Sequence, residues 1–227
     1  MIFGKKAPQL PEGVPSFHKR YKPSRNQSIA ETDILAVDLE TTGLDPRKDT
    51  LLSIGSVPIR GGTVRLDEAY YQVIRPEAKD KLGDDIAAPI HGIRHQELEE
   101  EGCTAHETIC DFLPRLDGHV LLAHAAGIET GFLAGAVKRC FNAPFRISVI
   151  DTLMIEKRAR ERRNQMIEPG TLRLGALREH YGLPIYAAHH ALIDALAAAE
   201  LFLAQVSHMC SHLEHPEAAP VRDFVSH

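Results

Sequence analysis

The chain has 227 residues, 44% hydrophobic and 25% charged, the balance of one sizeable soluble domain with short extensions. A net charge of −5 argues against a protein coated in basic surface. It leaves room for a nucleic-acid enzyme that gathers acids around metals and keeps its basic residues in one strip. The four cysteines, Cys103, Cys110, Cys140 and Cys210, lack C-x-x-C spacing. Neither a zinc knuckle nor a disulfide framework is suggested, and a reduced, cytoplasmic setting is the expectation. No apolar stretch is expected to span a bilayer, so no membrane partner is expected. The opening "MIFGKKAPQLPEGVPSFHKRY" lacks the continuous apolar core of a secretory signal.

Residues 1–32 are polar and Pro-rich without a sustained period, and read as an N-terminal arm. From Asp33 the pattern changes: "DILAVDL" reads as a buried strand ending in acids. The run from Thr50 to Pro76 reads as two strands joined at Gly61-Gly62. "TAHETICDFLPRL" predicts a helix with Thr104 as N-cap and Glu107 completing a capping box. "HVLLA" is the next strand, and "IETGFLAGAVKRCF" has helical apolar spacing. "FRISVID" is a further strand, followed by helical "TLMIEKRARERR". "TLRLGALREHYG" predicts a helix that stops at Gly182, with Pro184 beyond. "HHALIDALAAAELFLAQV" predicts a strong helix whose alanines permit close packing. A hairpin followed by strands alternating with helices implies an α/β layer structure around a mixed sheet over residues 33–207, leaving 208–227 as a C-terminal tail.

Asp38 and Glu40 stand two apart at the end of the first strand and so share one face, with Cα atoms roughly 6–7 Å apart. Carboxylates so placed repel unless they are protonated, exposed or bridged by a cation. The "TTGLDP" that follows is a turn stretch able to bring backbone N–H groups near a ligand. Glu129 lies where the "HVLLA" strand gives way to a helix, and reads equally as a cap, a surface acid or a metal ligand. Asp194 begins an otherwise apolar helix, five residues after His189. A favourable helix dipole would account for it as well as a ligand role does.

Taken together, "VDLETTGLD" (37–45), "HAAGIETGFL" (124–133) and "HHALIDALAAAE" (189–200) resemble the three motifs of the DEDDh, DnaQ-like 3′–5′ exonucleases. This family has a ribonuclease H-like fold and includes the proofreading subunit of the bacterial replicative polymerase. "IHGIRHQEL" (90–98) resembles its His-Gly segment, and "VIDTL" (149–153) its fifth strand. The resemblance implies a mixed five-stranded sheet flanked by helices. It makes Asp38, Glu40 and Asp194 metal ligands and His189 the general base, with His190 a bystander. Thr41, Thr42, Gly43 and Leu44 would line the pocket for the 3′-terminal nucleotide, Leu44 wedged against the end base. His91 and His124 would approach that nucleotide or serve the fold. In the second motif the chain has Ala125, Ile128 and Glu129 where the family shows Asn, Phe and Asp. Glu129 then stands as the fourth carboxylate, with a degenerate site as the competing reading.

The chemistry agrees on independent grounds. Phosphodiester hydrolysis needs an activated water and stabilisation of charge on the leaving oxygen. Two divalent cations, ~3.5–4 Å apart and held by carboxylates, supply both, which implies Mg²⁺ or Mn²⁺ and not zinc. Histidine, with an ordinary pKa of about 6.5, can take the water's proton near neutrality. The expected partners are single-stranded DNA or RNA 3′ ends and, by the resemblance, a DNA polymerase. DNA is favoured over RNA, and a non-catalytic nucleic-acid-binding module is the alternative outside the enzyme class. The basic "EKRARERR" (156–163) reads equally as a track for backbone phosphate or a solvated helix face. Asp151 reads as structural, and the C-terminal His208, Cys210, His212 and His215 as a polar tail and not a metal site.

Overall fold

The structure, a computed structural model, describes residues 10–76, Leu98 and residues 102–226. Its spine is β1 (Ile34–Thr41), antiparallel to β2 (Leu51–Arg60) and parallel to β6 (Val120–Ala123). β2 turns at Gly61-Gly62, both at positive φ (+57° and +73°), into the two-residue β3 (Thr63–Val64). That double left-handed turn is the one glycine tolerates at no steric cost. β4 (Tyr70–Arg75) then pairs antiparallel with β2, so the expected second strand arrives in two pieces. β7 (Val149–Asp151) pairs parallel with β6. The short β5 (Cys103–Thr104) and β8 (Val225–Ser226) close the two edges, giving the order β5-β4-β2-β1-β6-β7-β8 with β3 on β2. Among the described residues, the strands of three or more residues are β1, β2, β4, β6 and β7, the five expected.

Among the described residues, five helices of known bounds cover the two faces: α1 (Ala105–Leu116), α2 (Gly127–Phe141), α3 (Thr152–Arg162), α4 (Leu174–His180) and α5 (Ala191–Met209). The Thr104/Glu107 capping box forms as expected, each side chain receiving the other residue's backbone N–H. Side chains alternate along β1. Leu35, Val37 and Leu39 join the core beneath α1 and α2 with Phe112 and Phe132, while Ile34 and Ala36 face Phe202 of α5. Each large side chain fully buried there contributes roughly 1.5–3 kcal/mol of transfer free energy. The same alternation carries Asp38 and Glu40 onto the face of Ile34 and Ala36. The acids therefore sit on the α5 side because of strand period alone.

Contrary to expectation, one apolar stretch does reach the length of a bilayer crossing. α5 has 19 residues and a mean hydropathy of 1.3. Its alanines and Phe202 are buried against the sheet, as in a core helix. The segments expected as arm and tail are tied into the fold. Phe17 and Ile29 are buried, and Ile29 N–H donates to the Ala219 carbonyl at 3.0 Å. Phe224 packs edge-on against Phe202 with ring centroids 5.7 Å apart, and Val225 pairs with Ile150.

Candidate active site

The parallel pairing of β1 with β6 brings their C-terminal ends together, where loops meet in α/β sheets. Asp38 and Glu40 project from β1. Glu129 enters on the first turn of α2, just past β6, and Asp194 on the first turn of α5. One ligand atom each of Glu40, His189 and Asp194 lie within 4.8 Å of one another, the one such group of three among the described residues. Asp38 stands among the acids. Burial first, and then the charges of Glu129, Asp194 and Glu40, hold its carboxyl well above the usual carboxylate range. Burial and the neighbouring Asp194 push Glu40 up to about 7. Burial and Asp151 push Glu129 up to about 8. Asp194 is raised by burial, an effect opposed by the hydrogen bond it accepts from His189.

Four acids this close, in a pocket that desolvates them, need a counter-charge. Glu129 is only 4% exposed, and its Oε2 is buried without a hydrogen-bond partner. A buried acceptor left unpaired costs free energy unless a cation or proton meets it. The residues therefore fit divalent cations: hard carboxylate oxygens converge, and one of them lacks any protein partner.

Several contacts outside the motifs position this set. Gly55 pairs with Asp38 across β1 and β2. A Cβ there would come within 2.1 Å of the Leu192 backbone nitrogen and 2.2 Å of the Ala191 carbonyl carbon. Only glycine lets the start of α5, and with it Asp194, rest on the strand opposite Asp38. His189 sits in the left-handed region (φ 70°), which turns its backbone N–H onto Asp194 Oδ2 at 2.7 Å. His190 stacks on Tyr71 at 4.5 Å. Asp151 accepts from the amides of Ala125 and Ala126, both at 3.1 Å, and from Leu153 and Met154 at the start of α3. One carboxylate thereby fixes both the turn leading to Glu129 and the N-terminus of the next helix.

The motif loop after β1 is knitted internally. Thr41 Oγ1 donates to the Gly43 carbonyl at 2.6 Å, and Thr42 Oγ1 accepts from Thr50 N–H at 3.0 Å. Gly43 faces the Asp49 carboxylate, which leaves no room for a Cβ. Leu44 is 74% exposed, so an apolar side chain projects from the loop that follows Glu40. His124 spans two elements. Its Nε2 donates to the Leu172 carbonyl at 2.9 Å, which leaves Nδ1 to accept from the Thr152 hydroxyl at 2.8 Å. Burial lowers its pKa, in keeping with that neutral tautomer. His91 lies outside the described residues.

A cleft of about 680 Å³ opens beside the acids, lined by Asp38, His124, Arg173, Tyr186, His189 and Asp194. Its wall is held by Arg178, which is 3% exposed. Arg178 pairs with Glu200 at 2.8 Å, donates to the Pro184 and Ala197 carbonyls and stacks on Tyr186. Tyr186 closes the ring by donating to Glu200 at 3.0 Å. Gly55, Arg178 and Tyr186 lie outside the three motifs, and Glu200 closes the third without a role assigned to it there. A glycine inside a strand was the only signal that sequence offered for any of them. The basic stretch 156–163 is partly spent inside the fold, since Arg160 is ion-paired to buried Glu156 at 2.8 Å.

The profile of the RNase_T family, described as an exonuclease, matches residues 35–202. The PolC-type DNA polymerase III of Thermotoga maritima is 30% identical over 186 residues, which are 82% of this chain and 13% of that protein's length. Among solved structures, E. coli exonuclease I in complex with a 5cy-dT13 oligonucleotide superposes with a TM-score of 0.68 at 20% identity, covering 80% of this chain and 42% of that one. The nuclease domain of 3′hExo, a DEDDh family member bound to rAMP, gives 0.65 at 17% identity, over 78% of this chain and 93% of that one. Both structural likenesses show the shared fold. With the profile covering β1 through most of α5, the chain belongs to the RNase_T exonuclease family, the DEDDh-type group that its three motifs resemble.

Proposed function

We propose that this chain hydrolyses nucleic acid from the 3′ end and releases 5′-mononucleotides, with single-stranded or frayed DNA as its substrate. The observation that carries this reading is the convergence of Glu40, His189 and Asp194 within 4.8 Å, beside Asp38 and the unpartnered oxygen of Glu129. Two divalent cations, Mg²⁺ or Mn²⁺, bound by these acids would offset charge on the phosphoryl group and on the leaving 3′ oxygen. His189 takes the proton of the attacking water, and Asp194 orients it by holding its backbone N–H. Leu44, exposed on the loop after β1, packs against the terminal base, with Thr41, Thr42 and Gly43 shaping the backbone beside it. DNA is favoured because the matched curated relatives are named DNA polymerases, and a polymerase partner belongs to the same proposal.

The test is direct. Incubate 5′-labelled single-stranded DNA and RNA with the protein in Mg²⁺, in Mn²⁺ and in EDTA, alongside Asp38→Asn. A ladder shortening from the 3′ end, dependent on metal and lost in the variant, is expected on DNA. A ladder on RNA alone would move the substrate to RNA ends. Binding without a ladder under either metal would replace the enzyme by a binding module.

A further inference from the structure

A second cleft, of about 520 Å³, lies beside the 45–49 turn and is lined by Arg47, Lys48, Arg75, His106 and Arg139, with Asp49 the one acid among its described lining residues. In a chain of net charge −5 this gathering of cations is local. Asp45 engages Arg47 at 3.1 Å and Lys48 at 3.7 Å, from side chains that stay 87% and 78% exposed. Asp49 is occupied by the Asp45 backbone N–H at 2.7 Å. Arg75 and Arg139 form no ion pair among the described residues, and both are exposed. Among the described residues that line the cleft, cations outnumber acids.

The cleft is built on the α1/α2 core and is joined to the active site through the loop after β1. The turn that forms one wall continues the loop carrying Thr41 to Leu44, and Pro46 rests on α2 where a Cβ on Gly131 would meet it at 2.9 Å. α2 itself carries Glu129 in its first turn and Arg139 in its last. Ten residues of helix separate the two, ~15 Å at ~1.5 Å per residue. That is the reach of a few nucleotides of an extended strand. Its apolar lining, Leu51, Ile74, Ala105 and Ala136, carries no side-chain hydrogen-bonding group, and the charged groups around it suit phosphate better than base edges.

We propose that this cleft seats the backbone phosphates of the substrate strand a few nucleotides 5′ of the end being cleaved, without reading sequence. For the identity of the ligand, the proposal rests on the nuclease function above. Chain-length preference then comes from this cleft, while the chemistry comes from the acids on β1, α2 and α5. A strand long enough to span both gains affinity from phosphate contacts and counterion release. A dinucleotide cannot reach the cleft.

The test uses the full chain and fluorescein-labelled dT15 in EDTA, where no hydrolysis occurs, with anisotropy recorded over a salt series. Arg75→Gln with Arg139→Gln is expected to weaken binding at least tenfold at low salt. The slope of log K against log salt should fall by ~1.4, at ~0.7 per phosphate contact on a single strand. In Mg²⁺, KM for dT15 rises while kcat on a dinucleotide is unchanged. Lys138→Gln, on the same helix but outside the cleft, leaves all three readings alone. Unchanged affinity and slope in the double variant would overturn the proposal, and so would an equal effect of Lys138→Gln, which signals diffuse charge. Loss of dT15 binding in the double variant of a chain that cleaves nothing would support the cleft and remove the nuclease reading. Normal cleavage with unaltered binding would do the reverse.

Discussion

Glu129 carries the tension between stability and function in a single side chain. Its carboxyl is buried, one oxygen lacks a partner, and burial pushes its pKa up to about 8. Glu129→Gln keeps the volume and removes the charge. It should lower turnover at least tenfold, the scale of a lost interaction of ~1.4 kcal/mol in the transition state. In EDTA at pH 8.5, the same change should raise Tm, because the wild-type acid must ionise there against desolvation. At pH 4, below the ordinary 4.5, the acid is mostly protonated in the folded and the unfolded chain, and the two melting temperatures should converge. Full activity in the variant would show that Glu129 takes no part in the site. Four residues earlier, Ala125 has φ 64°, a left-handed conformation that penalises any Cβ by roughly 1–2 kcal/mol. The strain persists because Asp151 grips the amides of Ala125 and Ala126. Ala125→Gly should therefore stabilise the chain by about 0.5–1 kcal/mol in a denaturant titration, an effect that an unchanged midpoint would rule out.

Elements meet at the site through contacts that leave little slack. Gly55→Ala would drive a methyl group into the backbone of Ala191 and Leu192. α5 would lift from β2 and carry Asp194 and His189 with it. A fall in kcat/KM of at least a hundredfold is expected, with a lower Tm; unchanged kinetics would mean that α5 does not set the site's geometry. The strands and helices themselves were largely legible from sequence, because β1, β2, α1 and α5 keep their apolar period over many residues. Asp38, Glu40 and Asp194 were legible as a set because they sit on such regular elements within recognisable motifs. The role of Gly55 depends on a register pairing and a helix landing that no local pattern encodes. Arg178 is almost fully buried and pairs with Glu200 across α4 and α5, a contact that no local pattern encodes either. β8 has two residues, too few for any period to show. His124 was expected either to approach the terminal nucleotide or to serve the fold, and hydrogen bonds to Thr152 and Leu172, in two distant segments, hold its ring.

At the scale of the molecule, the sheet acts as a frame that forces like charges together. The first strand supplies two acids, the ends of the neighbouring elements supply two more, and segments from both ends of the sequence pack into the core on that same α5 side. Such a frame is stable only while those charges are neutralised. Glu40 and Glu129 have folded-state pKa values of about 7 and about 8, above the ordinary 4.5, with burial the leading cause in each case. A raised carboxyl pKa means that the folded state holds its proton more tightly than the unfolded chain does. Its stabilising contribution is complete below about pH 4.5 and is lost as pH rises through 7 and 8. In EDTA, Tm should therefore fall steadily between pH 5 and pH 8.5, by a free energy on the order of a few kcal/mol. Added Mg²⁺ or Mn²⁺ should reverse the fall, most strongly at the alkaline end, and metal binding near pH 7 should release protons. Calorimetry in two buffers of different ionisation enthalpy measures that release. A Tm in EDTA that stays level across this window, with no protons released on metal binding, would mean that the four acids are not held in the electrostatic conflict their positions describe.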